Sequence, residues 1–138
     1  MTRILVTGGA GYVGSHACKA LAGAGYEPVV FDNLCEGHDW AVKWGPLERG
    51  DLLDRDRIAE VVRKHEPAGV IHFASFAYVG ESVTDPGKYW HNNVSGAINL
   101  CDALVAAKTP AIVFSSSCTV YGLTESEFIT EAEPVAPI

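Results

Sequence analysis

The chain has 138 residues, 48% of them hydrophobic and 20% charged, and its net charge is −7. This balance is typical of a folded globular chain that is long enough to bury a core. The negative charge gives nucleic acid no general reason to bind, and no apolar run reaches the ~20 residues that cross a membrane. Because a secretion signal is also absent, we expect one cytoplasmic domain, 1–138, with neither nucleic acid nor membrane as a partner.

Short β-rich runs alternate with longer helical patterns, which predicts a parallel sheet with crossover helices. Strands are predicted at 3–7, 27–32, 46–51, 69–74 and 111–115. Helices are predicted at 13–24, from a cap at Asp54 to a stop at Pro67, and from Gly87 to Lys108. Residues 33–45 are predicted to be a loop or irregular helix, and the stretch after Gly122 to be irregular up to Ile138. The fold class is therefore α/β, a doubly wound Rossmann-like sheet that stops after its fifth strand.

A glycine-rich turn follows the first predicted strand and opens the first predicted helix. It has the spacing Thr7-Gly8-x-x-Gly11-x-x-Gly14. In such a turn the first glycine bends the chain, the second lets backbone approach a phosphate, and the third lets helix and strand pack closely. The helix N-terminus then offers unpaired N–H groups to a pyrophosphate. An ordinary αβ turn without a ligand is the other interpretation of this spacing.

An aspartate at the end of the second predicted strand indicates which dinucleotide binds. Asp32 follows Gly14 by eighteen positions, close to the ~20 expected for an acid that binds the adenosine ribose hydroxyls. A carboxylate would repel a 2′-phosphate, and no arginine follows at 33–37. The pattern therefore favours NAD over NADP.

Several other residues are expected to serve packing. His72 lies in the middle of a buried strand and is interpreted as a hydrogen-bonded core histidine. Trp40, Trp44 and Trp90 are interpreted as packing residues. The four cysteines (Cys18, Cys35, Cys101 and Cys118) are widely spaced, which argues against disulfides or a zinc site and favours buried or partly buried thiols.

With these residues in place, the chain resembles the extended short-chain dehydrogenase/reductase family, and within it the UDP-sugar 4-epimerases of the UDP-glucose/UDP-galactose type. The matching segments are 6–16 (VTGGAGYVGSH), 31–35 (FDNLC), 50–52 (GDL), 70–74 (VIHFA), 79–82 (VGES), 92–96 (NNVSG) and 114–122 (FSSSCTVYG). Along the whole chain these segments follow one another in the same order as in members of the family. The resemblance implies an isomerase that inverts C4 of a UDP-sugar through a transient 4-keto sugar, and relatives of this kind are commonly homodimers.

The resemblance also implies roles for individual residues. Tyr12 and Val13 would lie along the pyrophosphate, 32–37 around the adenosine ribose, 51–52 beside adenine and 73–77 on the nicotinamide side. Ser117 corresponds to the catalytic serine that hydrogen-bonds the reacting sugar hydroxyl. The full cofactor-binding set expected is Gly8, Gly11, Tyr12, Val13, Gly14, Asp32, Asn33, Leu34, Cys35, Glu36, Gly37, Asp51, Leu52, Phe73, Ala74, Ser75, Phe76, Ala77, Asn92 and Ser115.

Two departures from the family pattern restrict this interpretation. Where relatives often carry a lysine before the VGES segment, this chain has Ala77 and Tyr78. The family's base is the tyrosine of a Tyr-x-x-x-Lys motif, and none of the five tyrosines here has a lysine four residues on. We therefore expect an incomplete enzyme that lacks the later strands, most of the sugar-nucleotide subdomain and the base, and that is inactive by itself.

Two alternatives stay open at this stage. One is a related NAD-dependent sugar-nucleotide dehydratase or decarboxylase, although dehydratases usually pair an acid with the serine position and Ser117-Cys118-Thr119 has none. The other is a non-catalytic NAD-binding module, such as a sensor or scaffold.

Overall fold

A five-stranded parallel sheet forms the centre of the computed structural model, which describes residues 1–125 and 127–137. The strands are β1 (Arg3–Thr7), β2 (Glu27–Asp32), β3 (Leu47–Arg49), β4 (Gly69–His72) and β5 (Ile112–Phe114). Their order across the sheet is β3-β2-β1-β4-β5, and every neighbouring pair is parallel. The direction of winding reverses between β1 and β4, which confirms the predicted doubly wound fold.

The helices connect successive strands. They are α1 (Tyr12–Gly23), α2 (Arg55–His65), α3 (Val79–Thr84), α4 (Pro86–Tyr89) and α5 (Gly96–Ala107), with a π-helical segment at Trp90–Ser95 and 3₁₀ turns at Asp39–Ala41 and Cys118–Tyr121. Asp54 caps α2 as predicted, because its side chain accepts a hydrogen bond of 3.0 Å from the Arg57 N–H. Within the described residues, no helix combines the length and the apolar character needed to span a membrane.

Apolar side chains cover both faces of the sheet. Leu5 and Phe31 pack with α2 and α5 on one face, and Val6 and Val30 pack with Cys18 of α1 on the other. Neighbouring residues of a strand point to opposite faces, so Leu5 and Val6 belong to different layers. Two covered faces explain why the central strands are continuously apolar rather than alternating.

The region after β4 differs most from the sequence prediction. The single helix predicted from Gly87 to Lys108 is divided by the π-helical segment, and α3 was not predicted at all. Asp85, between α3 and α4, is non-helical (φ −132°) and caps α4, which is expected of a residue that precedes a proline. Strands β3, β4 and β5 are shorter than predicted, and β4 ends at His72 because 73–78 leave the sheet. The chain's last residue, Ile138, and Ser126 lie outside the described residues.

Some packing expectations were wrong. Trp40, Trp44 and Trp90 are 69%, 42% and 66% exposed, since two lie in the surface segment around the first 3₁₀ turn and one lies on the outer side of the π-helical segment. Of the cysteines, Cys18 is buried, whereas Cys35, Cys101 and Cys118 are exposed in surface loops and on the outer side of α5.

The interpretation of His72 was correct. Its Nδ1 lies 2.6 Å from Thr7 Oγ1, and both residues are buried. Burial lowers the pKa of His72, which favours the neutral imidazole in this core position.

Candidate functional site

A groove opens at the carboxyl ends of β1, β2 and β4, where the winding of the sheet reverses. It is lined by Gly8, Gly11, Asp32, Asn33, Cys35, Glu36, Gly37, Gly50, Asp51, Leu52, Phe73, Ala74, Ser75, Phe76 and Asn92. All of these except Gly50 belong to the cofactor-binding set predicted from the sequence. In doubly wound sheets this crevice is where ligands bind.

The glycine turn forms the floor of the groove and leaves no room for side chains. Gly8 has φ +72°, and its N–H donates a 2.9 Å hydrogen bond to the Phe31 carbonyl. A Cβ on Gly8 would lie 2.7 Å from the Ala74 nitrogen, and a Cβ on Gly14 would lie 2.1 Å from the Gly8 carbonyl oxygen. Helix α1 therefore packs directly against the turn, as expected for the third glycine of the pattern.

The first turn of α1 presents free backbone donors beside this floor. Gly11 is the N-cap residue, no side chain caps the helix, and its first turn has no acidic residue. The N–H groups of Tyr12, Val13 and Gly14 consequently have no intrahelical acceptor. Together with the helix dipole, they suit an anionic group such as a phosphate. The Tyr12 and Val13 side chains are exposed, while Gly14 is buried.

Asp32 connects the glycine turn to the loop that follows β2. Its Oδ2 accepts a 3.0 Å hydrogen bond from the Ala10 N–H, and its Oδ1 accepts one of 2.8 Å from the Leu34 N–H. The second bond supports Leu34 in a left-handed conformation, with φ +62°, which is uncommon for a residue with a side chain. Each carboxylate oxygen keeps a further lone pair, so Asp32 can still accept from a ligand.

The far end of the groove is built from the loops after β2 and β3. Asn33 Nδ2 donates a 2.9 Å hydrogen bond to Asp51 Oδ2, and the Leu53 N–H donates one of 2.8 Å to Asp51 Oδ1. Gly50, which the sequence reasoning missed as a lining residue, packs against Phe31, whose Cε2 would lie 2.6 Å from an added Cβ. The one sequence feature that could have indicated Gly50 as a lining residue is its position directly before Asp51.

A second cavity of about 390 Å³ adjoins the groove and shares Phe73, Ser75 and Phe76 with it. Ala77, Ser115 and Ser117 also line it. Ser117 Oγ accepts a 3.2 Å hydrogen bond from the Thr119 N–H and lies 2.8 Å from Thr119 Oγ1. Of the predicted site residues, Tyr12, Val13, Gly14 and Leu34 line neither cavity.

An asparagine pair holds the wall that separates the two cavities. Asn93 accepts from the Phe76 N–H at 2.9 Å and donates to the Phe76 carbonyl at 3.0 Å, while Asn92 donates to Asn93 Oδ1 at 2.8 Å. Both asparagines lie in the π-helical segment, a feature frequent at functional sites. Asn92 was predicted as a site residue and Asn93 was not, because the partner of Asn93 is seventeen residues away.

A lysine approaches this wall from α4, although none is present at 77–78. Lys88 Nζ lies 2.7 Å from Glu81 Oε1 and 4.5 Å from the centre of the Phe76 ring. The hydrogen bond to Glu81 raises the pKa of Lys88, and the hydrogen bond from Lys88 lowers the pKa of Glu81. Lys88 therefore places a positive charge beside this wall, paired with Glu81.

Comparison with known proteins agrees with this geometry. The NAD dependent epimerase/dehydratase family matches residues 4–138. A UDP-glucose 4-epimerase of Rhizobium meliloti (strain 1021) is 53% identical over 135 residues, which cover 98% of this chain and 41% of that protein. Another, from Klebsiella pneumoniae, is 41% identical over 128 residues, which cover 87% of this chain and 92% of that sequence.

Solved structures show the same arrangement of strands and helices. The UDP-glucose 4-epimerase of Brucella ovis in complex with NAD superposes with a TM-score of 0.92 at 51% identity, over 100% of this chain and 42% of that one. The Bifidobacterium longum enzyme in complex with NAD⁺ and UDP superposes with a TM-score of 0.89 at 33% identity, over 98% of this chain and 43% of that one. The chain spans about two fifths of the length of most of these relatives. It belongs to the NAD dependent epimerase/dehydratase family.

Proposed function

We propose that the groove binds NAD and that residues 1–138 are the cofactor-binding domain of a UDP-sugar 4-epimerase of the UDP-glucose/UDP-galactose type. The observation that carries the proposal is the position of Asp32, which lies 8% exposed on the groove and is hydrogen-bonded to the glycine turn. The relatives reported above, named UDP-glucose 4-epimerases and in two structures holding NAD, support it.

The residues present fit the chemical groups of NAD one by one. The free N–H groups of 12–14 suit the pyrophosphate, and Asp32 with 33–37 suits the adenosine ribose. Residues 51–52 then flank adenine, and 73–77 with Asn92 and Ser115 line the nicotinamide side. A Cβ at Gly14 would displace the turn that this arrangement needs. The negative charge of Asp32 disfavours the 2′-phosphate of NADP.

The second cavity is the proposed site of the sugar. When bound, NAD supplies a reversible hydride acceptor at its nicotinamide. Ser117 is proposed to hydrogen-bond the C4 hydroxyl of the sugar, with the Thr119 N–H fixing the position of Ser117 Oγ. The absence of an acid at 117–119 favours an epimerase over a dehydratase.

The 138 residues contain no tyrosine with a lysine four positions later. A general base typically contributes about 10²–10⁴-fold to the rate. We therefore propose that this chain alone binds the cofactor but turns over UDP-sugar at no more than a trace rate.

Titration of the purified chain with NAD and NADP tests the cofactor proposal. We expect NAD to raise the melting temperature and to release heat on binding, and NADP to do so more weakly. Asp32→Ala should weaken NAD binding and remove the preference over NADP. Asp39→Ala is the matched control, because Asp39 pairs with Arg49 on the surface outside the groove lining. Absence of any binding at millimolar NAD would refute the proposal.

We further propose that the whole protein is a homodimer through the outer side of α5 and the π-helical segment. Trp90, Val94, Ile98 and Val105 are exposed there, at steps of four, four and seven residues. Such spacing places apolar side chains on one side of a helix, and exposed apolar patches of this kind mark interaction surfaces.

A further inference from the structure

A hydrogen bond joins the two walls of the groove. The Tyr78 hydroxyl donates to Glu36 Oε2 at 3.1 Å, although the residues are 42 positions apart. Glu36 belongs to the wall that follows β2, which lines the groove through Asp32, Asn33 and 35–37, and Tyr78 continues the opposite wall, which lines it through 73–76. The bond therefore spans the opening between the segments assigned to the ribose and the nicotinamide side.

Both walls are anchored to the body of the domain. On one side the His38 N–H donates to the Ala10 carbonyl at 3.0 Å. On the other side Asn93 holds Phe76, and the Tyr78 carbonyl accepts from the Tyr89 hydroxyl at 2.9 Å. Since neither segment is free to swing as a whole, opening the groove requires the side chains of Tyr78 and Glu36 to separate.

The chemistry of the pair keeps this bond formed at neutral pH. The hydrogen bond to Glu36 and its negative charge raise the pKa of Tyr78, so the phenol stays protonated and able to donate. Only one carboxylate oxygen of Glu36 is used, and the other remains available to a ribose hydroxyl. The Tyr78 side chain is 58% exposed, so removing its hydroxyl leaves no buried polar group unpaired.

We propose that the Tyr78–Glu36 pair is a strap across the groove that slows the entry and release of NAD. This proposal rests on NAD binding in the groove, as proposed above. The bond includes no atom of the cofactor. It therefore affects how fast NAD enters and leaves the groove, and not the contacts that bound NAD makes with the protein. Loss of the bond should therefore increase the association and dissociation rate constants together and change Kd much less than either.

Stopped-flow fluorescence with NADH as the probe measures these quantities. Binding is followed on mixing NADH with the chain, and release on displacing bound NADH with excess NAD. Tyr78→Phe should release NADH roughly three- to tenfold faster, the effect of one partly exposed hydrogen bond. Tyr26→Phe is the matched control, because Tyr26 directly precedes β2 and so lies at the amino ends of the strands, opposite to the groove, and its rates should equal those of the wild type.

A double-mutant cycle with Glu36→Ala, which leaves the Tyr78 hydroxyl without an acceptor at this position, tests whether the two side chains act through one bond. If they do, the double variant releases NADH no faster than the faster of the single variants. The strap is refuted if Tyr78→Phe releases NADH at the wild-type rate, or if its Kd rises in proportion to its release rate, since that would indicate a direct contact with the cofactor. A wild-type chain that bound no NADH would instead refute the proposed function, and the strap with it.

Discussion

At the scale of single residues, the glycine turn shows how a short motif dictates geometry. The turn depends on the absence of Cβ atoms at Gly8 and Gly14, where each would collide with backbone. Backbone atoms of a packed turn cannot move aside for an added Cβ as a flexible side chain can. Only glycine is therefore compatible with these two positions. The collision at Gly14 lies within seven neighbouring residues, so the spacing of the motif predicts it, whereas the collision at Gly8 is with Ala74, which only the folded chain brings close.

Gly14→Ala should therefore abolish NAD binding and destabilise the fold. The new Cβ would lie 2.1 Å from the Gly8 carbonyl oxygen, and overpacking of this kind typically costs about 1–3 kcal/mol or more. Gly23→Ala, near the end of the same helix, is the control, since nothing lies within 4 Å of its added Cβ. That substitution should stabilise the chain by up to about 1 kcal/mol. Urea unfolding and NAD titration measure both effects, and equal unfolding midpoints for the two variants would contradict this account.

Residues that act through distant partners were beyond the reach of sequence reasoning. The partners of Asn93 and Tyr78 lie seventeen and 42 positions away, and the lysine beside Phe76 comes from another helix. Asp32, in contrast, was predictable because its distance from the glycine turn is set by one strand–helix–strand unit. Sequence therefore predicts the backbone side of the cofactor site better than the side-chain contacts that join its walls.

At the scale of elements, an ion cluster joins β3 to α2. Glu48 on β3 is 7% exposed and lies within 2.7 Å of donors from Arg57, Lys64 and His65. Burial alone would raise the pKa of Glu48, but hydrogen bonds from Lys64, His65 and Arg57 outweigh it and lower the pKa to about 2. The carboxylate thus fixes the end of α2 to an edge strand that is only three residues long.

Because the folded-state pKa of Glu48 is depressed, its contribution to stability is complete above the unfolded-state pKa near 4.5 and is lost as pH falls toward 2. Glu48→Gln should lower the free energy of unfolding by about 1–3 kcal/mol at pH 7. The difference from the wild type should shrink steadily between pH 4.5 and pH 2. Asp102→Asn, which breaks the exposed ion pair with Arg55, should change stability by less than about 1 kcal/mol. Urea unfolding across this pH range measures both, and a difference for Glu48→Gln that did not depend on pH would contradict the assignment.

The elements themselves were predicted best where local pattern and tertiary packing agree. Strands β1 and β2 have the predicted bounds, because both are apolar runs covered on two faces. The helical region after β4 was predicted as one unit, since its apolar spacing continues through Trp90–Ser95 without a visible break. Within that segment Asn93 is bonded to Phe76, a tertiary contact that periodicity does not encode.

At the scale of the whole molecule, two exposed apolar surfaces among the described residues are candidates for contact between copies of the chain. One is strand β5, whose three residues are exposed at the edge of the sheet. The other is the outer side of α5 and the π-helical segment, proposed above as the dimer surface. An open strand edge can pair with one further chain after another and so leads to aggregates. An apolar stripe on a helix surface, here called the helix stripe, suits a two-fold symmetric dimer.

Analytical ultracentrifugation of two variants distinguishes these surfaces. Ile98→Glu places a charge in the helix stripe, and burying an unpaired charge in an interface is strongly unfavourable, so we expect the dimer to dissociate into monomers. Val113→Lys places a charge on β5 at an exposed position and should leave the dimer intact while suppressing larger aggregates, as edge lysines do. Val113→Lys should keep the wild-type melting temperature, since Val113 does not belong to the buried core, whereas Ile98→Glu should lower it to that of the monomer, because association stabilises the dimer. If Val113→Lys dissociated the dimer and Ile98→Glu did not, the contact between copies would lie at the sheet edge, and the helix stripe would have to be assigned another role.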